Sequence, residues 1–193
     1  MKLTTRRIAF AGILAAVYAA LTVATSSFAY GPVQFRIAEA LAVFCCFTPA
    51  AIPGMVVGCM AANLASFVSA WDFAIGSTAT LLACLVTWFM SKALRSEEPL
   101  GGQTAAEGTR RRRLAGRRLL LVFLVPLPTI LFNAVIVGAE IAWFFDDRAF
   151  LTAWCMNGLS VGAGEAAVLY VLGVPLLIWL LKDRRLNRQL CAI

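Results

Sequence analysis

The sequence predicts an all-α integral membrane protein, a bundle of six transmembrane helices with both termini on the cytoplasmic side. Three observations predict it. Of the 193 residues, 61% are hydrophobic and only 14% are charged, with a mean hydropathy of +0.83, whereas a soluble domain is about half apolar. The apolar residues fall in runs, and a helix needs roughly 20 of them to cross a hydrocarbon core about 30 Å thick. The basic residues behind the net charge of +7 sit in three blocks beside those runs, where they set orientation rather than bind nucleic acid.

The first segment runs from about Ile8 to Phe28 and stops at Tyr30-Gly31-Pro32, since proline has no amide hydrogen with which to continue a helix. Its basic start resembles a signal peptide, but its length and its alanine content throughout read as a retained helix. The second, Phe35 to Phe47, is short and carries Arg36 and Glu39. A turn follows at Pro49 to Gly54, and Met55 to Ser69 makes the third crossing. Trp71 and Asp72 interrupt the pattern before the fourth, Phe73 to Met90, which ends at Lys92 and Arg95. Residues 96–118 form a charged cytoplasmic linker inside a single membrane domain of residues 1–193, and its Arg110 to Arg113 run suits anionic lipid. The fifth segment, Leu119 to Ile141, is kinked by Pro126 and Pro128. After Asp146-Asp147-Arg148 the sixth extends from Leu151 to Leu181, with Lys182, Arg184, Arg185 and Arg188 as its tail. Six crossings put Lys2-Arg6-Arg7, the linker and the tail on one side, cytoplasmic by the positive-inside rule; an odd number would split them.

Several chemistries are excluded. The six cysteines form no CxxC pair and the chain has no histidine, which removes imidazole zinc sites and imidazole-dependent triads. No metal, no cofactor and no catalytic residue is expected, and the chain does not read as an enzyme. It also lacks a G-x-x-x-x-G-K-[ST] loop, so ATP-driven work needs another chain.

A charge inside a transmembrane segment costs about 2.5 to 3.5 kcal/mol on insertion scales, which makes the retained polar residues informative: Arg36, Glu39, Asn63, Asn133, Glu140, Asn157 and Glu165. Arg36 and Glu39 share a helix face and either neutralise each other or serve a ligand. Asn133 and Glu140 are two turns apart on one face. Neither Glu140 nor Glu165 has a basic residue at helical spacing, so each must pair across helices, take up a proton, meet water or bind a ligand. On the first helix, Ala11, Ala15 and Ala19 recur every four residues with Gly12 and Ala16 beside them. Such small-residue rows, like Gly54-x-x-x-Gly58 and Gly158-x-x-x-Gly162, serve packing within the bundle or docking on another membrane protein.

The stretch from Tyr30 to Leu41, Phe47-Thr48-Pro49-Ala50-Ala51-Ile52-Pro53-Gly54 and Asn63-Leu64 resembles the QueT family of queuosine-precursor transporters. Pro126-Leu127-Pro128, Asn133-Ala134-x-Ile136-Val137-Gly138-x-Glu140 and Asn157-x-x-Ser160-Val161-Gly162-x-Gly164-Glu165 resemble it in the same order. The resemblance implies a substrate-binding S component of an energy-coupling factor (ECF) transporter in the cell membrane. Its implied partners are a transmembrane coupling subunit, docked on the alanine-rich face of the first helix, and two cytoplasmic ATPases. The implied substrates are 7-deazaguanines: the nitrile or aminomethyl precursor of queuosine, or queuine. A guanine-like edge suits Glu140 or Glu165, its carbonyl suits Asn133, Asn157 or Arg36, and its flat face suits Tyr30, Trp71 or Phe35. Glu39, Asn63 and Asp72 complete the candidate set, Asp72 as counter-ion for an amine. The competing expectations are an S component for another vitamin and an autonomous proton-coupled carrier using Glu140 and Glu165.

Overall fold

Apolar runs become helices throughout. The computed structural model describes residues 4–26, 35–64, 70–96, 116, 120 and 122–193, and among them every regular element is helical. Helix α1 (Thr5–Ala24) precedes a 3-10 helix (Ile37–Cys46), α2 (Ala51–Leu64) and α3 (Ala70–Ser96). Then come α4 (Pro126–Phe132), α5 (Gly138–Phe144), α6 (Phe150–Val168), α7 (Val174–Lys182) and α8 (Arg184–Cys191). A π-helical segment, Asn133–Val137, joins α4 to α5, and a second, Leu169–Gly173, joins α6 to α7. Lys2, Tyr30, the loop 31–34 and nearly all of the charged linker lie outside the described residues.

Four stretches are long and apolar enough to cross a membrane: Thr5–Ala24, Trp71–Lys92, Val122–Phe144 and Phe150–Lys182. Ile37–Cys46 and Ala51–Leu64 are apolar but shorter. With a rise of about 2.0 Å per residue in a 3-10 helix and about 1.5 Å in an α-helix, each covers roughly 20 Å, less than a hydrocarbon core.

Local chemistry moves several boundaries. Helix α2 begins at Ala51, inside the stretch expected to be a turn, because Pro53 occupies the first helical turn, where its missing amide hydrogen costs nothing. Thr48 Oγ1 accepts from the Ala50 amide at 3.2 Å just ahead of it. Trp71 and Asp72 open α3 instead of interrupting the chain before it, and an acidic residue in a first turn complements the helix dipole. At Val125, which keeps helical backbone angles, the regular pattern breaks just before Pro126, and α4 starts there within one apolar helical stretch, Val122–Phe144. The basic tail folds into α8, capped by Asp183, whose Oδ1 accepts from the amides of Arg185 and Leu186 at 2.9 and 3.1 Å. Leu186, Leu190 and Ile193 hold that end of the chain against Val43, Phe47 and Leu177.

Helix α1 packs on α2, α2 on α3, and α5 on α6, with the 3-10 helix in the middle of the bundle. The small-residue rows set these approaches. A Cβ on Gly58 would lie 2.7 Å from Tyr18 Cβ and 2.9 Å from the Ala15 carbonyl, and one on Gly138 would lie 2.6 Å from Gly158 Cα. Only glycine admits backbones that close.

Candidate functional site

Asp72, Gly76 and Thr80 recur every four residues and so share one face of α3. That face looks onto the 3-10 helix. Arg36, immediately before it, pairs through Nη2 with Asp72 Oδ1 at 3.4 Å, both side chains being almost fully buried. Glu39, in the first turn of the 3-10 helix and 0% exposed, accepts at Oε1 from the Tyr18 hydroxyl of α1 at 2.5 Å. Asn63, near the end of α2, donates through Nδ2 to the Asp72 carbonyl at 2.8 Å. Thr80 stands beside Glu39, but its hydroxyl donates to the Gly76 carbonyl at 3.1 Å. Gly76 is the floor of this group: a Cβ there would come within 2.9 Å of both Asn63 Nδ2 and Asp72 Oδ1.

The second half of the site comes from the C-terminal helices. Asn133, first residue of its π segment, donates through Nδ2 to Glu165 Oε1 of α6 at 3.1 Å. Glu140 extends from α5. Exposures of 1% for Asn133, 5% for Glu140 and 1% for Glu165 place all three inside the bundle. Arg36 lies within electrostatic range of Glu39, Asp72, Glu140 and Glu165, which joins the two halves into one cluster.

The cluster is rich in acceptors that receive nothing. Glu39 Oε2, Asn133 Oδ1, both oxygens of Glu140 and Glu165 Oε2 are buried without a hydrogen-bond partner. Leaving a buried polar atom unsatisfied costs about 1 to 3 kcal/mol, more when it is charged. The cluster therefore holds buried acceptor capacity that the described residues leave unused.

Of the residues expected at the site, Arg36, Glu39, Asn63, Asp72, Asn133, Glu140 and Glu165 are brought together. Arg36 takes Asp72 as its ion-pair partner, while Glu39 is served by Tyr18. Asn157 lies apart: its Nδ2 donates to Asp146 Oδ2 at 2.9 Å, in a loop network where Arg148 also donates to Asp146 at 2.8 and 2.5 Å. The hydrogen bonds from Arg148 hold the Asp146 carboxyl well below the usual carboxylate range. Trp71, 58% exposed, stacks on Phe144 with ring centroids 5.7 Å apart, and Phe35 is 38% exposed. Tyr30 lies outside the described residues.

Tyr18, Gly76 and Thr80 do not stand out in the sequence. The signal for Tyr18 is a hydroxyl in an otherwise apolar run, which needs a partner once buried. For Gly76 and Thr80 it is the four-residue spacing from Asp72, legible once Asp72 is placed on a helix. Two open grooves of about 310 and 370 Å³ lie elsewhere, one along Ala11, Gly12 and Ala15, the other beside Trp154 and Gly158. Their walls are apolar, so chemistry rather than volume selects the buried cluster. Ala11 and Ala15 line the first groove and also meet Gly54 and Gly58 of α2, whereas Gly12 and Ala16 are both exposed.

The family model for the QueT transporter matches residues 8–182. The chain belongs to the QueT transporter family. The family is one of transporters rather than enzymes. The chain is also similar to the protein named Queuosine precursor transporter QueT from Lactococcus lactis subsp. cremoris (strain MG1363). The two are 38% identical over 73 residues, which cover 36% of this chain and 42% of that relative's length. No solved structure matches the chain.

Proposed function

We propose that the chain is the substrate-binding S component of an ECF-type importer that captures a 7-deazaguanine queuosine precursor from outside the cell. The observation that carries this is the set of buried, unpartnered acceptors on Glu39, Asn133, Glu140 and Glu165. A guanine-type edge presents adjacent N–H donors of the kind those acceptors lack, and charge-assisted hydrogen bonds of this sort are about twice as strong as neutral ones. Glu165, steadied by Asn133, accepts from that edge; Arg36 meets the ring carbonyl. Family membership and the relative's name supply the precursor as the ligand to try.

Energy comes from partners: a transmembrane coupling subunit and two cytoplasmic ATPases. Gly12 and Ala16, exposed on α1, form the docking surface for the coupling subunit, while Ala11 and Ala15 of the expected surface pack on α2 instead. The bundle makes six crossings of the cytoplasmic membrane as one domain, with both ends in the cytoplasm. Support for an even number comes from Arg7, whose Nε donates to the Ile193 carbonyl and so ties the two ends to the same end of the bundle.

Equilibrium binding to the purified, detergent-solubilised chain, without partner subunits, tests the proposal. Queuine and its two precursors bind selectively over guanine, riboflavin and folate, and Glu165→Gln weakens binding by about tenfold or more, equivalent to about 1.4 kcal/mol. Selective binding of riboflavin or folate would instead make it an S component for another vitamin. Unchanged affinity after substitution of both Glu140 and Glu165 would remove the assigned site. Uptake that persists without the ATPases and collapses with the proton gradient would make it an autonomous carrier.

A further inference from the structure

The end of the bundle where α1 begins and α8 finishes is set apart by its charge. Arg7 donates through Nε to the Ile193 carbonyl, and Ala50, just ahead of α2, packs in one apolar cluster with Leu190 and Ile193. Helix α8 turns Leu186 and Leu190 toward that cluster and leaves Arg185 and Arg188, three residues apart on one face, exposed. Arg6 and Lys182 are exposed as well. Among the described residues here the acidic one is Asp183, and its carboxylate is committed to capping α8. This end therefore presents positive charge.

The groove of about 310 Å³ starts from the same place. Arg7 lines it together with Ala11, Gly12 and Ala15 of α1 and Pro53 and Val57 of α2. Arg7 and Ala15 are eight residues apart, about 12 Å along the helix at 1.5 Å per residue. That is most of the roughly 15 Å that one leaflet contributes to a hydrocarbon core about 30 Å thick. An apolar wall of this depth beneath a guanidinium matches a phospholipid, with acyl chain along the wall and phosphate at the cation. The second groove, beside Trp154 and Gly158, has an apolar wall and no charged residue in its lining, so it gives no preference for one headgroup over another.

We propose that the groove between α1 and α2 binds one anionic phospholipid, its acyl chain lying along Ala11, Gly12 and Ala15 and its phosphate met by Arg7. Guanidinium and phosphate pair bidentately. Arg6, Arg185 and Arg188 add the surrounding charge that favours a lipid of net negative charge over a zwitterionic one with the same phosphate. Gly12 also belongs to the proposed docking surface, so lipid and coupling subunit exclude each other there, and the lipid is the occupant of the undocked chain. The site stands apart from whatever the buried cluster binds.

The test offers equal amounts of dioleoylphosphatidylglycerol and dioleoylphosphatidylcholine to the delipidated full-length chain in detergent and reads the retained lipid by native mass spectrometry. Wild type retains one phosphatidylglycerol in preference to phosphatidylcholine by about fivefold or more, the step that one basic residue near an anionic surface supplies. Arg7→Gln removes that preference. The pair Arg185→Gln and Arg188→Gln, which leaves the bond from Arg7 to Ile193 in place, also lowers it, so the charge requirement is read even where Arg7→Gln fails to fold. Gly12→Leu fills the groove and lowers retention of both lipids by about fivefold or more, with the melting temperature of wild type. Equal retention of the two lipids by wild type, or undiminished retention by Gly12→Leu, would overturn the site. So would a second copy of the chain seated in the groove, seen as a dimer that Gly12→Leu dissolves.

Discussion

Tyr18 ties α1 to the buried cluster through one hydrogen bond to Glu39, and both groups are buried. Tyr18→Phe keeps the ring and removes the donor, leaving a second Glu39 oxygen unsatisfied; the expected loss is about 1 to 3 kcal/mol, read as a lower melting temperature in detergent. A melting curve superimposable on wild type would show that the bond contributes nothing. Arg36 and Asp72 make a sharper case, since removing either partner of a buried pair costs about 3 to 5 kcal/mol while removing both costs less than the sum. Arg36→Leu and Asp72→Asn should each lower the melting temperature more than Tyr18→Phe, and the double variant should recover part of the loss; additive losses would mean the pair is not coupled. Charges are legible in the sequence because a bilayer penalises them, so Arg36, Glu39, Glu140 and Glu165 stand out against their apolar neighbours. Their partners are not legible, because which helix faces which is decided by packing between segments far apart in the chain. Asn157 shows the limit: as a polar residue kept in an apolar run it reads as a site candidate, but Asp146 in the adjoining loop claims its amide.

Helices α1 and α2 meet through small residues, and the two faces of α1 make separable predictions. Gly58→Leu places carbon where Tyr18 Cβ and the Ala15 carbonyl already lie, and overpacking of this kind costs about 1 to 3 kcal/mol. Gly12 has nothing within 4 Å of its Cβ position, so Gly12→Leu should leave the melting temperature unchanged. In a co-purification with the proposed coupling subunit, wild type should retain that partner and Gly12→Leu should release it. Retention by Gly12→Leu would place docking elsewhere. The small-residue rows are visible in the sequence as rows, but a periodic stripe looks the same whether it meets a neighbour inside the chain or a separate protein. Element ends are less legible than element centres. Pro53 and Asp72 both look like interruptions in a hydropathy profile, and both turn out to be first-turn residues, where a proline and a carboxylate are each tolerated or favoured.

Across the molecule, the link from Arg7 to the Ile193 carbonyl and the loop around Asp146 make the proposed sidedness testable. In intact cells, native Cys191, exposed in the basic C-terminal helix, should react with a maleimide only when the reagent crosses membranes, while Asp147→Cys should react with an impermeant one. The reverse pattern would invert the topology. Asp146 also sets a pH response: Arg148 depresses its folded pKa, so its contribution is complete above the unfolded carboxylate value of about 3.9 and fades only as pH falls through the depressed folded value. The Arg148 amide, which donates to Asp146 Oδ1 at 3.1 Å, should therefore stay protected from hydrogen exchange at about pH 4; loss of protection already at about pH 5 would contradict that assignment. The apolar crossing pattern is legible because length and hydropathy alone dictate it. The two π segments are not, since their extra residue answers to tertiary packing. Each stores one residue of slack, and taking it up into regular α geometry would rotate everything beyond it by about 100°. Between Asn133 and Glu140 lies one such segment, so a single-residue slip there would act as a change of gear, turning Glu140 away from the face it now shares with the cluster.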